Sequence, residues 1–314
     1  MNNTAYIIRR LLHMIPILLG VVVLLFILFN WVGGDPAYIL AGKVTSESQI
    51  ENIRHQLGLD RPAYVQIGIF LRQIFTGDFG TSWNTGEPVS EIILTRLGPS
   101  LVVLIPLLII ETLIAVGLSL MVARRQGGVG DRGVMAVCTI GMSISVLVYI
   151  IVFQYVFAYQ LGWFPVQGWG DSLLQNLFTY AALPIITGLV VGIAPSLRLY
   201  RSFMVDEIRQ DYVRTARAKG LTERRILWVH VLRNAAIPIV TCLMASLPGL
   251  LTGAFLIERF FSIPGIGREI LLAVERSDFP VIKAVTVYVV IATMVANLLA
   301  DLIYKAADPR VELK

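Results

Sequence analysis

The residue types that perform chemistry are sparse in this sequence and poorly spaced for catalysis. His13, His55 and His230 are dispersed, and neither a Gly-x-Ser-Gly turn nor a His-Glu-x-x-His helix occurs, so hydrolysis within a membrane has no machinery. Cys138 and Cys242 both lie in strongly apolar stretches and offer no metal-ligand spacing, which reads as buried thiols rather than a disulfide framework. No glycine-rich loop ends in Gly-Lys-Ser/Thr, so no segment is built to cradle nucleotide phosphates. Two features remain. Glu111 falls inside an apolar run, where an ionised carboxylate costs on the order of a few kcal/mol unless it is protonated, paired or facing water. Hydrogen bonding between helices and a place on a solute path are both open to it. The other feature is a dense patch of charge from Arg198 to Asn234, carrying nine basic and four acidic residues.

The elements that hold these residues follow from composition. Of 314 residues, 56% are hydrophobic and 15% charged, which excludes a soluble enzyme, a disordered regulator and a nucleic-acid-binding domain. The net charge of +5 needs no polyanionic partner, because membrane proteins keep Lys and Arg on the cytoplasmic side. Six apolar runs are candidate crossings: Leu11 to Val32, Ser100 to Ala123, Val134 to Gln160, Ala181 to Leu197, Ala235 to Ile257, and Ala284 to Ala300. At about 1.5 Å per helical residue, even the shorter runs approach the roughly 30 Å of hydrocarbon. The first follows Arg9 and Arg10 as a signal peptide would, but lacks a small-residue cleavage site and reads as a retained anchor. Pro195, Pro248 and Gly249 interrupt their runs, as packing kinks, bends or gate segments do.

Sorting the loops alternately places 17 of 26 basic residues on one side and eight on the other, with Lys283 at the edge of the last span. The richer side is cytoplasmic, and six crossings put both termini there. The outer segment from Gly33 to Pro99 holds two expected helices. Ser46 and Gln49 form a capping box ahead of Ile50, with Gly58 as the stop; a second helix runs from Pro62 to Phe75 with Asp60 at its cap. A turn follows at Thr76 to Gly80. Residues 1–99 thus read as an anchor with an outer segment, and residues 100–314 as a five-span core.

The inner loop, residues 198–234, reads as helix, tight turn, helix. Ile208, Tyr212, Thr215 and Ala216 recur at helical spacing as a narrow small-residue face, while Arg209, Arg214 and Arg217 point elsewhere. Gly220 supplies the left-handed stop, and Thr222 is placed to cap a second helix from Glu223.

The run Asp211-Tyr-Val-Arg-Thr-Ala-Arg-Ala-Lys-Gly-Leu221, with His230-Val-Leu-Arg-Asn234 and Pro238, resembles the cytoplasmic EAA loop of ABC-importer permeases of the dipeptide/oligopeptide branch. Arg9-Arg10-Leu11 with Pro16, Gly34-Asp35-Pro36-Ala37, Leu57 to Pro62, and Gly77-Asp78-Phe79-Gly80 are similar to that branch's N-terminal region. Glu258 to Gly267 and Asp278-Phe-Pro280 resemble its last outer loop. Arg214 stands where the general pattern has an acidic residue and Arg233 where it has proline; both departures look typical of the peptide branch.

The resemblance implies an all-α integral membrane protein with the type I ABC-importer permease fold, six transmembrane helices and cytoplasmic termini, in a bacterial inner membrane. It implies no catalytic residue and no cofactor in this chain: ATP and Mg are used by two separate nucleotide-binding subunits. Coupling to them falls on Asp211, Tyr212, Arg214, Thr215, Ala216, Arg217, Ala218, Lys219, Gly220 and Leu221, with Thr215, Ala216 and Ala218 letting the helix seat closely. Glu111, Pro248 and Gly249 are candidates for the substrate path or gate. The implied partners are a paralogous second permease, the nucleotide-binding subunits and a periplasmic or lipid-anchored binding protein. The implied cargo is a di- or oligopeptide, with glutathione-like peptides or nickel chelates as the branch's other cargoes. An ion-coupled carrier is the competing class, but it ordinarily places several ionisable groups at midplane in repeated halves, and only Glu111 qualifies here.

Overall fold

The computed structural model describes residues 3–28, 37–38, 46–56, 58–252 and 254–307, which are helical or lie in turns, with no strand among them. Arg9 to Leu11 and Pro16 lie in the first helix, α1 (Asn3–Ile27); Gly34 to Pro36 fall outside the described residues. In the outer segment, α2 spans Glu47–Gln56 and α3 spans Ala63–Thr76. Gly58 stops α2 with φ 67°, as expected. Asp60 does not cap α3: the N-cap is Pro62, which pre-sets the backbone without a side-chain bond.

Four described stretches are long and apolar enough to cross a membrane: Val89–Arg124, Ala182–Ile208, Glu223–Ser246 and Phe279–Leu299. The first two are α4 (Val89–Arg124) and α7 (Ala182–Ile208). Between them lie α5 (Val129–Ser143) and α6 (Val146–Phe153), the latter extended by a π-helical stretch, Gln154–Gln160. The expected crossing from Val134 to Gln160 is not one continuous helix: its two halves meet at a 91° bend. Ile144 is extended there, Ser145 restarts the helix by accepting from the Leu147 amide at 3.4 Å, and the Tyr149 hydroxyl ties the corner by donating to the Gly141 carbonyl at 3.0 Å. Leu12–Ile27 is a shorter apolar helix.

The charged inner loop contains α8 (Asp211–Ala218). After its turn, Glu223–Arg225 leads through a π-helical turn, Ile226–Val231, into α9 (Leu232–Thr252). Thr222 occupies the expected N-cap position but makes no side-chain cap bond. Two short outer helices follow, α10 (Phe255–Phe260) and α11 (Ile266–Glu275), before α12 (Phe279–Ala307). α7 and α9 continue unbroken through Pro195 and Pro248.

The most extensive helix pair is α4 with α7, followed by α9 with α12; α5 packs on α7, and α1 packs on α12 and α3. α7 overruns its apolar stretch by eleven residues because Tyr200, Met204 and Val205 remain buried while Arg198, Asp206 and Arg209 are exposed. Leu24, Leu113, Met121 and Val137 expose large apolar side chains on the flanks, the surface a membrane chain leaves to lipid or partner helices.

Candidate functional site

α8 is two turns long and could not persist alone in water, so its position depends on what it buries. Val213 and Ala216 form its inner face, 0% and 7% exposed, in a cluster with Leu120 and Ala123 of α4, Met204 of α7, and Ile226, Leu227 and Val231 of the following turn. Ala216 therefore faces the chain's own core rather than outward, and Ile208 belongs to α7; the outward small residues are Thr215 and Ala218. Spacing alone did not separate the two faces, since either could have carried the small side chains.

Both ends of α8 are fixed. Gly220 takes φ 73°, its amide donates to the Arg217 carbonyl at 2.9 Å, and the Leu221 amide donates to the Ala216 carbonyl at 3.3 Å. These paired bonds are a Schellman closure, and the half-buried Leu221 adds the apolar contact that accompanies it. Across the same turn the Arg217 guanidinium donates to both Glu223 oxygens, at 2.7 and 3.3 Å, which pushes the arginine's pKa up. At the other end the Tyr212 hydroxyl donates to Glu207 Oε2 at 2.7 Å, lashing α8 to the end of α7. Burial, with the Glu207 carboxylate beside it, pushes this phenol up to about 12 against the opposing effect of Asn234. Asp211, Arg214, Thr215, Ala218 and Lys219 are left exposed, a mixed-charge ledge with small side chains between the ends of two long helices. Thr215 returns its hydroxyl to the Asp211 carbonyl at 3.1 Å, so its methyl is free to meet a partner.

Glu111 is placed on the α4–α7 seam. The Ser196 hydroxyl donates to its Oε1 at 2.5 Å. A Cβ on Gly192 would stand 2.7 Å from the Glu111 carboxylate, and one on Gly188 would stand 2.7 Å from Leu107. Gly188, Gly192 and Ser196 thus form a small-residue stripe at intervals of four, the spacing that lets helices approach closely in lipid. The structure brings Glu111 into an interhelical contact; Pro248 and Gly249 lie on α9. The stripe was readable in the sequence and is absent from the expected site residues.

Three further networks were not expected from the sequence. Towards the end of α7, Arg201 grips Asp131 through a bidentate pair at 2.5 Å, and the Gly127 amide donates to the same carboxylate at 2.7 Å, pinning the α4–α5 connection. On α10, Glu258 is 0% exposed and accepts from the Ser100 hydroxyl at 2.8 Å, the Ala254 amide at 3.1 Å and the Arg268 amide at 3.0 Å. Ser100 in turn accepts from the Ile266 amide at 2.9 Å, so two side chains from elsewhere satisfy the first turn of α11. Asp278 does the same for the turn after Gly80: it accepts from the Ser82 hydroxyl at 2.5 Å and from the Trp83 and Asn84 amides at 3.2 and 3.3 Å. Trp83 meets Phe279 edge to face at 5.5 Å. The outer motifs around residues 77–80 and 278–280 are therefore one structural unit.

Residues 115–313 match the family model described as a binding-protein-dependent transport system inner membrane component, and residues 3–104 match the N-terminal model of the same systems. The chain belongs to this permease family. A probable peptide ABC transporter permease of Sinorhizobium fredii is 36% identical over 98% of both chains. An oligopeptide transport system permease of Bacillus subtilis is 36% identical over 98% of this chain and 99% of its own. A glutathione transport system permease of Salmonella choleraesuis is 35% identical with the same coverage. The chain is thus an integral membrane component of an ABC transport system, and not its catalytic part.

In this permease, α8 is a helix fixed on its inner face that presents an exposed mixed-charge surface between two spans.

Proposed function

We propose that this chain is one of two paralogous permease subunits of an ATP-driven importer that carries di- or oligopeptides, or related small peptides, across a bacterial inner membrane. The observation that carries the reading is the construction of α8: buried Val213 and Ala216 hold it from behind, Gly220 closes it, and its other face is an exposed ledge. A nucleotide-binding subunit contacts Asp211, Arg214, Thr215, Ala218 and Lys219, while Tyr212, Ala216, Arg217, Gly220 and Leu221 keep the ledge in register. Because α8 is tied to α7 by Tyr212 and to the helix entering α9 by Arg217, a rigid shift of its partner moves both spans together.

In this reading α1 and the bent α5–α6 pair complete six crossings, with both termini cytoplasmic. The loop charge bias supports that orientation. One chain supplies one ledge, and closure of two nucleotide-binding subunits needs two, so a second, paralogous permease completes the path. ATP and Mg are used by those subunits, and a periplasmic or lipid-anchored binding protein delivers cargo. Similarity to peptide, oligopeptide and glutathione permeases supports a peptide cargo and keeps glutathione as the second reading. Glu111, Pro248 and Gly249 remain candidates for the path or gate; the Ser196 contact gives Glu111 a structural role in the closed seam.

Purification of the tagged chain from its native host in mild detergent, with partners and bound ligand identified by mass spectrometry, tests this. A second six-span permease, two ATPase subunits and a peptide are expected. An active assembly with this chain as its only permease would refute the heterodimer, and uptake driven by an ion gradient without ATP would refute the importer.

A further inference from the structure

A cavity of about 480 Å³ opens beside the start of the helix that enters α9, lined by Thr222, Arg224, Arg225 and Trp228. Its chemistry is amphiphilic. Two adjacent guanidinium groups sit at its rim, and among the described residues neither has a hydrogen-bonding or acidic partner, because the neighbouring Glu223 is engaged by Arg217. The Thr222 hydroxyl caps nothing. Trp228 and Val229 are 49% and 50% exposed, although Ile226 and Leu227 before them and Val231 after them are buried. One turn into α9 the exposed surface turns apolar again at Ile237, 49% exposed.

Cation, indole and aliphatic surface thus follow one another along a single helix as it passes from a charged loop into an apolar span. That order matches the phosphate, glycerol and acyl layers of a leaflet, with tryptophan at the headgroup level and arginines beyond it. The ledge proposed to meet the ATPase lies on the preceding helix, α8, across the Gly220 turn. Val229 and Ile237 lie outside the cavity lining yet are half-exposed, apolar surface suited to acyl chains beside a headgroup in the cavity.

We propose that this cavity binds the phosphate of an anionic phospholipid of the inner leaflet, held by Arg224 and Arg225 with Trp228 against its glycerol region. The proposal rests on the cytoplasmic orientation of the loop given above. The test is native mass spectrometry of the full-length chain with its accompanying subunits, using phosphatidylglycerol as the probe lipid and phosphatidylcholine as the neutral comparison. Retention of phosphatidylglycerol is expected to fall about fivefold for Arg224→Gln or Arg225→Gln and roughly 30-fold for both, at about one charge-unit of surface attraction each. Arg224→Lys/Arg225→Lys and the remote Arg209→Gln are expected to keep it, and phosphatidylcholine is expected to show no dependence. Equal retention in the wild type and the double Gln variant would overturn the site. Binding of inorganic phosphate with the same arginine dependence, without phosphatidylglycerol, would overturn the lipid in favour of a free anion. Loss of the ATPase subunits with lipid retention unchanged would overturn it in favour of a protein contact. Retention is read without uptake, and external labelling of a cysteine at residue 222 in sealed cells reports failure of the orientation separately.

Discussion

Replacing Gly220 separates backbone conformation from steric space, because its surroundings are empty. Beyond its chain neighbours no atom lies within 4 Å of where a Cβ would stand, so a Cβ meets open space and φ 73° is what resists it. A non-glycine residue held in that left-handed region costs about 1–3 kcal/mol, lowest for Asn and highest for a β-branched side chain. For Gly220→Val the upper part of that range, about 2–3 kcal/mol, lowers the ratio of seated to unseated α8 by roughly 30- to 150-fold. Alanine near 1 kcal/mol lowers it about fivefold. The variant relieves the strain by opening the turn, which breaks the Leu221-to-Ala216 and Gly220-to-Arg217 bonds and swings the ledge away from α7 and α9. Uptake of a labelled peptide, normalised to the amount of permease in the membrane, is expected to follow Gly, Asn, Ala, Val in descending order, with Val nearly inactive and all four at equal membrane levels. Normal uptake by the Val variant would show that the ledge does not couple. An Asn variant as inactive as Val would show that the side chain itself blocks a contact, and that φ is not the determinant.

Gly265→Ala makes the opposite comparison: φ −99° is permissive, but a Cβ would stand 2.3 Å from Glu258 Oε2 and 2.5 Å from Ser100 Oγ. Displacing a buried carboxylate that accepts three bonds should cost about 2–4 kcal/mol, read as a lower melting temperature in detergent; an unchanged value sinks the proposed role of Glu258. Arg201→Met leaves Asp131 buried without its cation and should destabilise by about 3–5 kcal/mol, more than the double variant Asp131→Asn/Arg201→Met; a double-variant loss equal to the sum of the two single losses would mean the pair is not coupled. In sealed cells, cysteines at residues 50 and 270 should label from outside and those at residues 128 and 222 should not; labelling at 222 would invert the topology.

Much of the helical architecture was legible because membrane burial writes itself as long apolar runs. The inner loop was legible for a different reason: a glycine that ends a helix declares a positive φ through its local context, and Gly220 behaves as its neighbours Lys219 and Leu221 imply. The 91° corner at Ile144–Ser145 was not, since apolar residues continue on both sides of it and hydropathy carries no direction. Residues 29–36 and 39–45, including the Gly34-Asp35-Pro36 motif, lie outside the described residues.

The motifs around residues 77–80, 258–267 and 278–280 were visible as strings, but what they do depends on partners far along the chain. Ser82 meets Asp278 across 196 residues and Ser100 meets Glu258 across 158. The same distance hides the second kind of glycine. Gly192 and Gly265 have no special dihedral; they are needed because a carboxylate from another helix occupies the volume a methyl group would take. Nothing local distinguishes them from a glycine in open space such as Gly117. Their spacing offers the only clue, and it is a partial one: Gly188, Gly192 and Ser196 mark a close helix contact without saying that the neighbour is Glu111. An acidic residue in an apolar run and a small-residue stripe in another are therefore best read together, each supplying what the other lacks, the charge its partner and the stripe its occupant.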